Sequence, residues 1–159
     1  MDQQKNTLIR RGAIFYADFG SQSGSTIKGI RPAMIVQNNT GNQYAKTIIV
    51  APVVPLQKQK RHPTHVTINS EFGLSEASLL LLEQIITVDK QSLGDYIGTA
   101  TEDFMDLVDH ALAISVGIPP LKNKKSSEWK ANRKQLLAEQ KRQKAIEKRQ
   151  ASQPKTATQ

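Results

Sequence analysis

The sequence predicts a mainly β protein: a small, strongly curved antiparallel sheet or barrel closed by one C-terminal helix and followed by a basic extension. Three observations predict it. Short runs of branched and aromatic residues recur between clusters of Gly, Asn, Ser and Pro, as strands joined by turns require. Residues 101–116 carry apolar side chains at the three-and-four spacing of an amphipathic helix. Nothing alternates strand with helix in the manner of a doubly wound sheet, and no internal repeat is evident.

Residues 1–7 are mostly polar and read as a disordered lead-in, with the lead-in as a whole drawn over residues 1–9. The first strand covers residues 13–19, bounded by Gly12 and Gly20. Residues 20–26, Gly-Ser-Gln-Ser-Gly-Ser-Thr, cannot build a core and form a flexible loop. The second strand spans residues 30–38, and Asn39-Thr40-Gly41-Asn42 supplies a turn. Residues 47–54 form a third strand, apolar throughout and therefore central, with Pro52 confining it to a bulge or an unpaired side. A second, cationic loop follows over residues 55–62 and contains Lys58, Lys60 and Arg61. The alternation of residues 64–68 fits a half-buried fourth strand, and residues 70–76 turn the chain. Residues 78–82 and 84–88 read as two short strands or one bent strand. In the helix, Thr101 caps, Glu102 and Asp103 sit favourably in the first turn, and Phe104, Leu107, Val108, Ala111 and Leu112 make one apolar face. Gly117 and the pair Pro119-Pro120 stop it.

Charge divides the 159 residues sharply. Residues 1–118 hold 10 Lys and Arg against 11 Asp and Glu, whereas residues 119–159 hold 12 against 3. The formal charge of +8 is therefore −1 from the body and +9 from the extension. A domain over residues 10–118 and an extension over 119–159 follow. The extension is rich in Lys, Arg, Gln, Glu and Ala but has few apolar residues beyond Trp129, Leu136, Leu137 and Ile146, which suits intermittent helix rather than a core. Clustered cations of this density bind nucleic acid by releasing counterions from phosphates; a solubilising extension is the competing reading.

With no cysteine there is no disulfide, thiol nucleophile or thiolate metal site. His62, His65 and His110 are not spaced to share an ion, so no metal or other cofactor is expected. Residues 24–28 lack the Gly-Lys-Ser/Thr ending of a Walker loop, and no close pair of carboxylates suggests glycosidase chemistry. The apolar runs at 48–54 and 79–82 are far shorter than the roughly 20 residues that span a bilayer. The N-terminus has no apolar signal core. A soluble, cytoplasmic protein is expected.

Arg11-Gly12, Gly29-Ile30-Arg31-Pro32, Ile35-Val36-Gln37-Asn38, Gly41-Asn42, Pro63-Thr64-His65-Val66 and Leu81-Leu82-Glu83-Gln84-Ile85, with Thr87 and Asp89, together resemble the MazF/PemK toxin family. The resemblance runs over about residues 10–118 without a gap. It implies an SH3-like barrel, a homodimer, and metal-free cleavage of single-stranded RNA through a 2′,3′-cyclic phosphate. A cognate antitoxin, acidic and partly disordered, would neutralise it. The related CcdB-type toxins place a gyrase-binding function on the same fold, so a nucleic-acid- or protein-binding module with weak or no nuclease activity is the alternative.

Arg31 falls on the family's catalytic arginine. Its guanidinium is permanently charged and suits phosphate oxygens. Ser25, Thr26, Lys28, Gln84, Lys58 and Lys60 are the candidate substrate-binding residues, and backbone N–H groups of the 24–29 loop add further donors. Three positions depart from the family: its threonine falls on Val54, its loop glutamate on Thr26, and an arginine of close relatives on Ile86. Valine can neither donate a hydrogen bond nor carry a proton. His65, Glu83, Asp18 and Asp89 are expected to be structural.

Overall fold

The computed structural model describes residues 8–21, 24–56 and 62–119. The chain divides into two units, Met1–Pro119 and Pro120–Gln159, and every described residue belongs to the first. The basic extension lies outside the described residues.

In chain order the elements are β1 (Ala13–Asp18), β2 (Ile30–Ile35), a short helix α1 (Asn39–Tyr44), β3 (Thr47–Pro55), β4 (His65–Ile68), β5 (Ser78–Leu81), β6 (Ile86–Asp89), β7 (Leu93–Thr99) and the helix α2 (Glu102–Ser115). Short 3-10 turns occupy Leu82–Gln84 and Lys90–Ser92. Every pairing is antiparallel, in the order β4-β5-β3-β2-β1-β7, with β6 also on β3. The path ends at β4 and β7 without the two pairing, so the sheet is open and the expectation of a barrel is too strong.

β3 is the centre. Its first half pairs with β6 from Thr47–Asp89 to Val50–Ile86, and its second half with β5 from Val53–Leu80 to Pro55–Ser78. Pro52, with no N–H to donate, falls in the gap between those partners while facing Ala33 of β2. Alternation sends successive side chains into different cores. Ile14, Met34, Ala51, Val53, Val66, Ile68 and Leu80 pack with Phe104, Val108 and Ala111 of α2. Ala13, Phe15, Ala33, Ile35, Ile48 and Val50 pack with Ile9, Phe19, Val88 and Leu93. Both faces are thus buried, which is why β3 reads as an unbroken apolar run. Each large side chain so covered stabilises the fold by roughly 1.5–3 kcal/mol.

α2 is terminated as its sequence dictates. Thr101 Oγ1 accepts from the N–H of Phe104 at 3.3 Å. At the other end Gly117 N–H donates to Ile114 O and Ile118 N–H to Ala113 O, the paired bonds of a Schellman motif. Arg11 ties the chain before β1 to this helix, donating to Asp109 Oδ1 and to the Val36 carbonyl.

Two local readings change and one stated alternative is decided. Residues 39–44 form α1 rather than a turn, because Asn38 Oδ1 caps it by accepting from Gly41 N–H at 2.8 Å. The stretch 78–88 is two strands, broken by the 3-10 turn at Leu82–Gln84. β7 went unpredicted: Leu-Gly-Asp-Tyr-Ile-Gly-Thr has two glycines and is largely exposed, and its order comes from pairing with β1 across register shifts. Gly98 there is dictated by the segment crossing it, since a Cβ would lie 1.9 Å from the Phe72 carbonyl oxygen.

Candidate functional site

β2 changes character along its length. Ile30 is 72% exposed and Arg31 exposed, whereas Ala33, Met34 and Ile35 are fully buried. Arg31 therefore projects from the rim of a strand whose other end is locked in the core. Its register partner on β1 is Ala17. The Nε of Arg31 donates to the Lys28 carbonyl at 2.8 Å, which fixes the plane of the guanidinium. Among the described residues no carboxylate pairs with it. Both terminal amino groups are left to meet a ligand, in the geometry that suits two phosphate oxygens.

The loop beside it is held from two directions. At its base, Phe19 N–H donates to Gly29 O and Gly29 N–H to Gly20 O, extending the β1–β2 hairpin. Gly29 makes this turn at φ +71°, a conformation that disfavours a side chain. Near its tip, Ile27 N–H donates to Gln84 Oε1 at 2.9 Å, a bond that crosses 57 positions of sequence. Ile27 is thus pinned by Gln84, and its neighbour Lys28 by Arg31. Two loop N–H groups, those of Ile27 and Gly29, are consequently engaged within the protein. That narrows the expected set of backbone donors for phosphate.

Next to the pin lies a cavity of about 190 Å³, lined by Phe19, Thr26, Ile27, Glu83, Gln84, Ile85 and Ile86. Its walls are mainly apolar, and its polar lining residues are Thr26, Glu83 and Gln84, the Glu83 carboxylate being engaged with His65. Ile86 supplies hydrocarbon to this wall.

The sequence-predicted residues separate clearly in space. Arg31, Lys28, Thr26 and Gln84 come together around the loop, and Ser25 is exposed on the same loop. Lys58, Lys60 and Arg61 lie outside the described residues. Val54 is 4% exposed and packs with Leu79 and Leu81 under Ile27 and Leu56. The position where the resemblance led to the expectation of a threonine is here part of an apolar cluster. Phe19 and the Ile27 N–H are the participants that sequence reading missed. Their roles come from contacts far away in sequence, and no local signal announces them.

Asp18, Asp89, His65 and Glu83 each have a partner within the fold. Asp18 accepts from Gly20 N–H and Asp89 from Gln91 N–H, each closing its own turn. The His65 side chain is 7% exposed, and its Nε2 meets Glu83 Oε1 at 2.8 Å. His62 packs edge-on against it, with ring centroids 4.9 Å apart. Burial pushes the Glu83 carboxyl up, but its own backbone N–H, the Thr64 hydroxyl and His65 outweigh that and hold it below its usual value. Among the described residues no three His, Asp or Glu side chains converge as a metal site, and no helix is long and apolar enough to cross a membrane.

The described elements define a small mainly β domain, an open antiparallel sheet with one C-terminal helix packed against it. Residues 10–116 match the family of PemK-like, MazF-like toxins of type II toxin–antitoxin systems, and the chain belongs to that family. It is 39% identical over 112 residues to the endoribonuclease EndoA of Bacillus subtilis, a match covering 70% of this chain and 97% of that protein. Among solved structures, a mycobacterial endoribonuclease in complex with its cognate antitoxin superposes with a TM-score of 0.59 at 27% identity, over 70% of this chain and 97% of that one. MazF from Deinococcus radiodurans shares the fold with a TM-score of 0.58 at 22% identity, over 68% of this chain and 96% of that one.

Proposed function

We propose that this chain is a sequence-specific endoribonuclease toxin that cleaves single-stranded RNA, acts as a cytoplasmic homodimer, and is neutralised by an antitoxin laid across the loop and the cavity. Family membership and the endoribonuclease relatives support the class. The single observation that carries the site is Arg31, oriented by the Lys28 carbonyl and otherwise unpaired among the described residues.

The chemistry follows from that placement. Attack of a ribose 2′-hydroxyl, which gives up its proton, on the adjacent phosphorus forms the 2′,3′-cyclic phosphate and breaks the bond to the 5′-oxygen, which leaves taking up a proton in its place. Negative charge gathers on the phosphoryl oxygens as this happens. The terminal amino groups of Arg31 hold that charge, and one such donor is worth about 3 kcal/mol, or 10²–10³ in rate. Ser25 and Thr26 are the nearby loop hydroxyls, and no step requires a metal. Residues 10–118 make the catalytic domain, and the +9 charge of residues 119–159 adds sequence-independent attraction for RNA.

A second reading, binding without cleavage, is favoured by one observation: Val54 is buried in hydrocarbon and Ile86 lines the cavity. The first lacks a hydroxyl that could donate or pass on a proton, and the second lacks a cation that could hold phosphate charge. The two readings part in one experiment. Protein purified free of antitoxin is incubated with long single-stranded RNA, and new 5′ ends are mapped. Cuts at a recurring short sequence, lost in Arg31→Ala while the fold persists, support the nuclease. RNA that is bound but left intact replaces it with the binding module.

A further inference from the structure

We infer that Gln84 is a specificity-determining residue whose side-chain NH₂ reads one nucleobase held in the cavity beside it, favouring uracil or guanine over cytosine or adenine. This rests on the RNA-directed reading of the site and adds how sequence is selected.

The argument begins with a hydrogen bond that can be made in only one way. The Ile27 N–H needs an acceptor, so the Gln84 amide must present Oε1 to it, at 2.9 Å. The orientation of the amide is thereby fixed, and Nε2 faces away from that bond. Among the described residues no acceptor takes up its two hydrogens. Gln84 is half-buried and lines the cavity of about 190 Å³. An unmatched amide donor in a partly desolvated wall is a strong discriminator, because the wrong ligand leaves it without a partner.

The cavity suits a flat heterocycle. Drug-sized ligands occupy pockets from about 300 Å³ upward, so this one accepts a single ring system and not a whole nucleotide. Phe19, Ile27, Ile85 and Ile86 give it apolar walls, and the hydrocarbon of Ile86 offers the ring no competing cation. Ile27 joins the cavity to Lys28, whose carbonyl orients Arg31. A base seated here lies against Ile27, the chain neighbour of the residue whose carbonyl orients the guanidinium. The donor also decides which base. At the edge that distinguishes them, uracil O4 and guanine O6 accept, while cytosine N4 and adenine N6 donate. An NH₂ group meets the first pair and repels the second.

The test uses the full chain and short 2′-O-methyl RNAs, which bind without a nucleophile to cleave. The oligonucleotides vary one position at a time among the four bases. Wild type is expected to prefer U or G by about tenfold at one position, the discrimination of a good base contact. Gln84→Glu keeps an oxygen for the Ile27 N–H, and so keeps the loop, but replaces the donor with an acceptor. It is expected to invert the preference toward C or A at that same position, while its uniform charge penalty cancels in the ratio. Gln84→Leu is expected to flatten the ratio to within about twofold. If both variants weaken all sequences equally and leave the ratios unchanged, Gln84 is only a loop pin and the inference is overturned. If wild type binds no RNA at all, the RNA-directed reading itself falls, and this inference falls with it.

Discussion

The two ends of this molecule are built on opposite principles. Around α2 almost every determinant is local: Thr101 caps three residues ahead, Gly117 closes the helix behind it, and Phe104, Val108 and Ala111 recur on one face. Around the Gly24–Arg31 loop the decisive bonds are remote or depend on a rim position: Ile27 to Gln84 across 57 residues, and Val54 beneath the loop through Ile27. The helical end is stable because it is self-consistent. The loop end has few buried contacts of its own and is held by single hydrogen bonds, as a binding site that must admit a ligand requires.

Substitutions at the two ends should therefore fail differently. Phe104→Ala should have the largest effect on the fold, destabilising it by about 3–5 kcal/mol through loss of its buried contacts and its edge-on packing with Phe72. Urea denaturation measures this, and RNA affinity per folded molecule should be unchanged. Val54→Thr tests the loop end. It restores a hydroxyl where the family has one, at a cost of about 1–3 kcal/mol in stability because the site is apolar, and should raise the cleavage rate about tenfold or more. An unchanged rate would mean that the missing hydroxyl is not what limits this site.

Thr101→Ala sharpens the comparison from the helical side: about 1 kcal/mol of stability lost, with no change in cleavage. The smallest effect concerns Glu83. Its carboxyl is held below the ordinary value in the fold, so the unfolded chain binds its proton first as pH falls. The stability it contributes is present above about pH 4.5 and disappears as pH drops through the folded value. Glu83→Gln should flatten the acid limb of a melting-temperature profile and leave the neutral region with little pH slope of its own.

The same contrast explains what could be read from sequence. The capped helix, the central apolar β3 and the loop flanked by Gly20 and Gly29 were legible because each is written in adjacent residues. α1 was taken for a turn because Asn38 and Gly41 carry the chemistry of both, and only the capping bond separates them. β7 was invisible because its glycines serve close approaches, by Tyr16 at Gly94 and by Phe72 at Gly98, rather than strand propensity. At the site, Arg31 was legible through its family context, whereas its orientation by Lys28 was not. Gln84 stood among the candidate residues, but its bond to Ile27 N–H, which fixes which half of the amide faces outward, is a property of the folded chain alone.

The central claim is that Arg31, fixed by its loop and unpaired among the described residues, is the group that stabilises charge on a scissile phosphate. Single-turnover cleavage of one RNA by wild type, Arg31→Lys and Arg31→Ala tests it most directly. The expected result is a loss of about 10²–10³ in rate for Ala, and a rate for Lys below wild type because a point charge replaces a planar fork. Binding of uncleavable RNA should fall far less than the rate does. Equal rates for wild type and Arg31→Ala would contradict the account.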